Sequence, residues 1–236
     1  MTRSLDNTPI IAARSVLFHL CSVLATLFFL LFVPFLLAPV RIGWPVLRAY
    51  IRVQLFLLRA ICGQRFHVLQ DAEFPSGPVI LASRHEALWE TLVLPLLFEN
   101  PVVLLKQEIL RYPVAGAIAR KLGHIGLDRS GAADRAREAF GAARARAKEG
   151  RSFLIFPSGT RDPARRFEVQ KGTAVLYRAL GLPCVPVVLD SGTFWPYRSW
   201  LRRPGVITVR VLPAIPAGQE TATFLTRLQA DLGRPA

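Results

Sequence analysis

Residues 78–106 read PVILASRHEALWETLVLPLLFENPVVLLK. A short apolar run, PVILAS, is followed by apolar residues at helical spacing, ETLVLPLLFEN, and then by a second β-branched run, PVVLLK. A strand, a helix and a strand in that order predict an α/β layer arrangement. The joint between the first strand and the helix holds His85, with Glu90 five positions on. Such a His is either a structural residue that has found a hydrogen bond or a base held by a carboxylate, and this stretch alone leaves both readings open.

The same alternation continues along the chain. HIGLD (124–128), SFLIF (152–156), VPVVL (185–189) and VITVRVL (206–212) have the composition of strands. Between them, YPVAGAIARKLG (112–123), AADRAREAFGAARARAKEG (132–150) and QKGTAVLYRALG (170–181) carry helical spacing and end on Gly, a common residue at helix C-termini. The fold class expected is α/β, a mixed, partly parallel sheet covered by helices. Four polar clusters stand at or just after predicted strand ends: His85 in VILASRHEALWE, Arg129 in HIGLDRS, Gly159 and Arg161 in FLIFPSGTR, and Asp190 and Gly192 in VPVVLDSG. In an open α/β sheet the carboxyl ends of the strands form the crevice where ligands bind, so the four clusters are candidates to share one site.

The composition ahead of this region is different. From Ser15 to Val40 the chain runs 26 residues without Asp, Glu, Lys or Arg. As a helix this would measure ~39 Å, enough for a ~30 Å hydrocarbon core. The run is too long for a signal peptide and no small-x-small cleavage site closes it. Pro34 and Pro39 are expected to kink or end the helix, leaving a membrane span or a hydrophobic hairpin dipping into one leaflet. In the segment that follows, Arg41, Arg48, Arg52 and Arg59 sit at offsets of 0, 7, 11 and 18. At ~100° per residue they fall within about 20° of one line, while Trp44, Leu47, Ile51, Leu55 and Leu58 lie elsewhere around the helix. An arginine stripe directly after a membrane segment suits an interfacial helix whose guanidinium groups meet lipid phosphates. The Lys/Arg excess beyond the apolar run places the remaining chain on the cytoplasmic side. Residues 1–62 are therefore expected to bind the membrane and residues 63–236 to form the α/β domain.

Over 236 residues, 30 Lys+Arg against 16 Asp+Glu give a net charge of +14, carried by 26 Arg and 4 Lys. Such a surface attracts polyanions, whether nucleic acid, an anionic membrane face or phosphorylated small molecules. Cys21, Cys62 and Cys184 are scattered, with no Cys-x-x-Cys pair, which argues for a reducing compartment and against a disulfide framework or zinc site. The cationic helix 132–150 lacks the aromatic interleaving of a nucleic-acid face and reads as solvated or membrane-facing. FWPYRSWLRRPG (194–205) sets Trp195, Tyr197 and Trp200 among three arginines, a mixture that a membrane–water interface selects and that protein packing also produces. His19, His67 and His124 have no ligand-like neighbours in the sequence.

Together the four clusters resemble the glycerolipid acyltransferases, specifically the bacterial 1-acylglycerol-3-phosphate acyltransferases, over roughly residues 65 to 215. The first motif of that family is a His, four residues and an acid, usually Asp; here it stands as HEALWE (85–90). The second ends in an Arg after a strand, matched by GLDR (126–129), and the third is usually Phe-Pro-Glu-Gly-Thr-Arg, here FPSGTR (156–161). The fourth is a Val-Pro-Val run, matched by VPVVLDSG (185–192). The resemblance implies a glycerol-3-phosphate acyltransferase-like fold and transfer of a fatty acyl group from acyl-CoA or acyl carrier protein to the free hydroxyl of a lysophospholipid, foremost lysophosphatidate, giving phosphatidate. It implies membrane lipids as surroundings, no nucleic-acid partner, no metal and no bound organic cofactor. It assigns His85 and Glu90 to catalysis, and Arg129, Ser158, Gly159, Thr160 and Arg161 to substrate binding; Lys106, a cation at the end of a neighbouring strand, is a further substrate-binding candidate and Lys171 a weaker one.

The residue types suit that chemistry. Making an ester from a thioester and an alcohol requires a base for the hydroxyl proton, and His is the side chain whose ordinary pKa lies near that task. An acid beside it fixes the tautomer and stabilises the imidazolium, as in a hydrolase triad whose serine is replaced by the substrate alcohol. Five residues of regular helix turn through about 140°, so His85 is expected in the loop before the helix, with Glu90 reaching back from an early turn. Glu86 competes by proximity, but only Glu90 matches the motif spacing. Ser158 stands where the family usually has Glu, which keeps another acceptor, such as a lyso-ornithine lipid, as an alternative. A more distant alternative is a non-catalytic basic protein of the same fold that binds membranes or nucleic acid.

Overall fold

The computed structural model describes residues 8–36, 38–127 and 133–236. Helix α1 (Thr8–Leu30) is followed by a short turn of helix, α2 (Val33–Leu36), and by α3 (Val40–Cys62). The α/β part comprises β1 (Gln64–Gln70), β2 (Ile80–Ser83), α4 (Trp89–Leu97), β3 (Val102–Lys106), α5 (Pro113–Lys121), β4 (Ile125–Leu127), α6 (Ala133–Lys148), β5 (Phe153–Ile155), α7 (Lys171–Leu180), β6 (Cys184–Leu189), α8 (Ser191–Phe194), β7 (Gly205–Val211) and α9 (Thr221–Leu232).

The strands form one sheet in the order β1-β7-β6-β2-β5-β3-β4. Strands β6, β2, β5, β3 and β4 run parallel to one another, β7 is antiparallel to β6, and β1 is parallel to β7. The sheet is thus mixed and mostly parallel, as expected. The central strands β2, β5 and β6 are buried along their whole length, so their sequences are unbroken apolar runs rather than alternating ones. Successive residues serve opposite faces. Ile80, Ala82, Phe153 and Val188 pack with Leu176, Phe224 and Leu228 from α7 and α9, whereas Leu81, Leu154 and Val187 pack with Leu58, Trp89 and Val93 from α3 and α4.

Strand β1, the four-residue helix α8 and helix α9 have no counterpart among the elements expected from the sequence. Strand β1 is an edge strand whose residues are mostly exposed, so QRFHVLQ carries little of a buried strand's pattern. Its partner is far along the chain: Gln64 pairs with Gly205 and Gln70 with Val211. Helix α9 buries Phe224, Leu228 and Leu232, a spacing present in the sequence, and starts where the Glu220 side chain accepts from the N–H groups of Ala222 and Thr223.

The N-terminal part is a helical hairpin. Helix α1 stops at Leu30, ahead of Pro34, and Pro39 stands immediately before α3. At 23 residues α1 is long and apolar enough to cross a membrane. It lies antiparallel to α3, with Ser22 Oγ donating to Gln54 Oε1 at 2.7 Å, Thr26 Oγ1 3.2 Å from Tyr50 Oη, and the rings of Phe29 and Tyr50 edge to face. Helix α3 ends at Gly63, whose φ of +69° is open to Gly without strain. Arg41, Arg52 and Arg59 of the stripe are exposed and Arg48 is half-buried. Phe18, Leu58 and Cys62 belong to the same core as Trp89 and Leu154, so the hairpin is continuous with the sheet through packed side chains.

Candidate active site

The loop from Arg84 to Leu88 leaves the carboxyl end of β2 and enters α4 at Trp89, which puts His85 ahead of the helix and Glu90 in its first turn. The His85 Nδ1 lies 3.0 Å from Glu90 Oε1. An ionised carboxylate only accepts, so Nδ1 carries the proton and Nε2 presents its lone pair. His85 Nε2 makes no hydrogen bond among the described residues. The ring is stacked on Phe156, the residue after β5, with centroids 4.2 Å apart and an interplanar angle of 24°. Its side chain keeps 18% of its surface accessible, whereas that of Glu90 keeps none.

A fully buried carboxylate is costly unless its lone pairs are satisfied. Here Oε1 also accepts from the backbone N–H groups of Glu86 at 2.6 Å and Ala87 at 2.7 Å, while Oε2 accepts from Ser191 Oγ at 2.8 Å. Glu90 therefore folds the loop back over the start of its own helix and ties it to the residue after Asp190. The neighbouring acid does not contact His85. Glu86 Oε2 accepts from Gly192 N–H at 3.0 Å, and Oε1 lies 3.9 Å from both Arg84 and Arg166. Burial raises the Glu86 carboxyl above its ordinary pKa, offset by the Gly192 N–H and the two guanidinium groups.

Arg84 braces the loop from behind. It is buried, donates to the Leu232 carbonyl at 2.6 Å, the Leu189 carbonyl at 3.2 Å and the Arg234 carbonyl, and lies 5.0 Å from the centre of the Phe167 ring. The C-terminal end of α9 is thus tied to the residue before His85. Asp190, at the end of β6, accepts from Thr208 N–H at 2.8 Å and holds the adjoining antiparallel strand.

The FPSGTR segment forms a tight turn after β5. Gly159 has φ +63° and its N–H donates to the Phe156 carbonyl at 2.9 Å. Ser158 is buried, with its hydroxyl donating to the Thr160 carbonyl at 2.9 Å, and Thr160 Oγ1 accepts from Asp162 N–H at 3.2 Å. The Ser158 hydroxyl and the Gly159 N–H therefore hold the turn together. Arg161 is exposed and makes no hydrogen bond or ion pair among the described residues. Lys106 is exposed at the carboxyl end of β3, and Lys171 is exposed at the start of α7. Arg129 lies outside the described residues.

The clusters at His85, Gly159 and Asp190 follow the neighbouring parallel strands β2, β5 and β6, on one edge of the sheet. Phe156, Ser191 and Arg84 lie inside the quoted motifs yet, like Arg166, are not among the candidates that the sequence offers. Only Ser191's place beside Gly192 hinted at a role. A cavity of about 370 Å³ opens between α3, β1 and the start of α4, lined by Leu55, Leu58, Phe66 and Trp89 together with Arg59, Gln64 and Arg65. Among the described residues no three His, Cys, Asp or Glu side chains converge to hold a metal ion.

Residues 65–190 match the family model described as Acyltransferase. The chain is 32% identical over 184 residues to the 1-acyl-sn-glycerol-3-phosphate acyltransferase of Pseudomonas aeruginosa, covering 78% of this chain and 72% of that protein. A protein of the same name from Cocos nucifera is 32% identical over 151 residues, covering 62% of this chain and 49% of its own length. The crystal structure of the 1-acyl-sn-glycerophosphate acyltransferase PlsC from Thermotoga maritima matches with a TM-score of 0.67, over 95% of this chain and 97% of that one at 16% identity, a likeness of fold.

Proposed function

Because this chain belongs to the acyltransferase family, we propose that it moves a fatty acyl group from acyl-CoA or acyl carrier protein to the free hydroxyl of lysophosphatidate, giving phosphatidate. The observation that carries this reading is the His85–Glu90 pair: an accessible imidazole, fixed at Nδ1 by a buried carboxylate, with Nε2 open to an incoming hydroxyl.

In the proposed mechanism His85 Nε2 takes the proton of the lysophosphatidate hydroxyl as its oxygen attacks the thioester carbonyl carbon. The carbon–sulfur bond then breaks, and the imidazolium returns the proton to the departing thiolate. Glu90 stabilises the imidazolium, and Phe156 holds the plane of the ring. No protein nucleophile takes part, because the acceptor alcohol itself attacks. The acceptor phosphate is bound by Arg161, whose exposed guanidinium suits bidentate contact with phosphate oxygens, with Lys106 and Arg129 as further cations and Thr160 closing the turn. Ser158 and Gly159 shape that turn rather than contact the ligand through the groups already engaged. The cavity at Trp89 offers an acyl chain the apolar side chains of Leu55, Leu58 and Phe66.

Residues 1–62 serve as the membrane anchor and residues 63–236 as the catalytic domain, at the inner membrane on its cytoplasmic side. The exposed apolar face of α1, including Leu20, Leu24 and Phe28, supports this. Ser158 favours a second reading of the acceptor, because the carboxylate usual at that position is absent and its hydroxyl is engaged within the turn; a lyso-ornithine lipid is the substitute to test.

The test is transfer of a labelled acyl group by the detergent-purified chain, from both donors, to lysophosphatidate and to lyso-ornithine lipid, beside His85→Ala and Glu90→Gln. Phosphatidate formation that falls roughly 100-fold or more in His85→Ala is expected. Undiminished turnover in that variant would remove His85 from the mechanism.

A further inference from the structure

The loop between α8 and β7 takes no part in the chemistry above, yet it is firmly seated. Its underside is buried: Trp195 donates its indole N–H to Gln64 Oε1 at 2.8 Å, the Arg202 guanidinium lies 4.0 Å from the centre of the Trp195 ring, and Gln64 Nε2 donates to the Arg203 carbonyl at 2.7 Å. Its upper side is joined to α1. Arg202 N–H donates to Ser15 Oγ, and His19 Nε2 meets the Trp200 carbonyl, each at 2.8 Å. One helical turn separates the two attachment points.

The crest of the loop faces outward. Trp200 is 50% exposed and Tyr197 38%, and the guanidinium of Arg198 lies 5.2 Å from the centre of the Tyr197 ring. Arg198 and Arg203 are exposed, and no acidic residue occurs between Asp190 and Glu220. Beside the attachment points α1 exposes Val16, Leu17 and Leu20. Aromatic rings with one apolar and one polar end, set among bare cations and next to an apolar helix, match the boundary between lipid and water.

We propose that the Pro196–Pro204 loop is a second membrane contact, beyond the α1–α3 hairpin, in which Trp200 and Tyr197 seat at the surface of an anionic bilayer while Arg198 and Arg203 meet lipid phosphates. This contact is independent of the chemistry at His85. It also has a consequence for the site. The loop follows α8, whose first residue, Ser191, holds Glu90, so docking here bears on the height of the His85–Glu90 pair above the bilayer that contains the acceptor lipid.

The experiment uses the full chain with vesicles of phosphatidylcholine, alone or mixed with phosphatidylglycerol, made with ordinary or brominated acyl chains. The difference between wild type and Trp200→Phe isolates the emission of Trp200. Brominated lipid is expected to quench that difference, and the pair Arg198→Glu with Arg203→Glu is expected to weaken binding to phosphatidylglycerol vesicles several-fold with an unchanged thermal melting profile. Equal Trp200 emission in both lipids overturns the contact. So does a charge-reversed pair that leaves vesicle binding unchanged but raises KM for acyl carrier protein, because the cations then serve that acidic partner.

Discussion

Ser191, at the start of α8, donates its hydroxyl to Glu90 Oε2 at 2.8 Å, joining the turn after β6 to a carboxylate 101 residues earlier in the chain. Both residues are fully buried. The bond supplies a partner for the far oxygen of Glu90 while the near oxygen holds His85. Glu carries one methylene more than Asp, and that reach lets one carboxylate serve the loop amides, the imidazole and the Ser191 hydroxyl together.

Ser191→Ala is expected to lower kcat about tenfold with little change in KM, because a buried acceptor loses its donor at a cost of ~1–3 kcal/mol and the dyad loosens. Combined with Glu90→Gln the two losses should fall well short of additive, since both act through one carboxylate. Steady-state kinetics of the four chains in the cycle measures this; full additivity would separate Ser191 from the dyad.

Arg161→Ala is expected to raise KM for the phosphorylated acceptor by roughly tenfold or more while kcat changes less, and Arg161→Lys should recover only part of the loss because an ammonium group lacks the planar fork. The comparison is made by varying acceptor concentration at saturating donor. A fall in kcat alone would assign Arg161 a different task.

Arg84 gives a stability prediction. Its buried guanidinium satisfies the carbonyls of Leu189, Leu232 and Arg234. Arg84→Met fills a similar volume but leaves those acceptors without their donor, and a loss of about 2–4 kcal/mol is expected in denaturant unfolding. Deleting residues 233–236 removes the Arg234 carbonyl from Arg84 together with the Arg234–Asp231 ion pair and the packing of Ala236, so activity and stability should fall together.

His124 sets a pH dependence. Burial, with Arg151 nearby, lowers its pKa from 6.5 to about 4, and its neutral Nδ1 accepts the Val103 N–H at 3.1 Å. Above pH 6.5 the imidazole is neutral in both folded and unfolded chains. As pH falls from 6.5 to about 4 the unfolded chain takes up a proton that the folded chain refuses. Stability is therefore lost across that window, on the order of 1 kcal/mol per pH unit. His124→Asn keeps an acceptor but cannot titrate, so its melting temperature should fall less steeply between those pH values; parallel curves would exclude His124 as the cause.

Much of the site was legible because its signals are local. A buried parallel strand must be an unbroken apolar run, so PVILAS, SFLIF and VPVVL stand out, and the polar residues after them mark the edge of the sheet where a site can form. The spacing of His85 and Glu90 was enough to exclude a mid-helix arrangement, and the chain does place His85 before α4 and Glu90 in its first turn. Strand β1 left little trace because an edge strand's side chains are largely solvated. Helix α9 had a readable spacing that went unread.

By itself, then, the sequence determined the alternation of layers, the apolar N-terminal segment and the motif residues, since each depends on side-chain periodicity or on neighbours a few positions apart. Only the tertiary structure decided which groups satisfy them: Ser191 on Glu90, Phe156 beneath His85, α9's last carbonyls on Arg84, and the loop at Trp200 on the middle of α1. These partners are separated by tens to more than a hundred positions, and no local pattern encodes a contact that exists only once the strands have taken their order in the sheet.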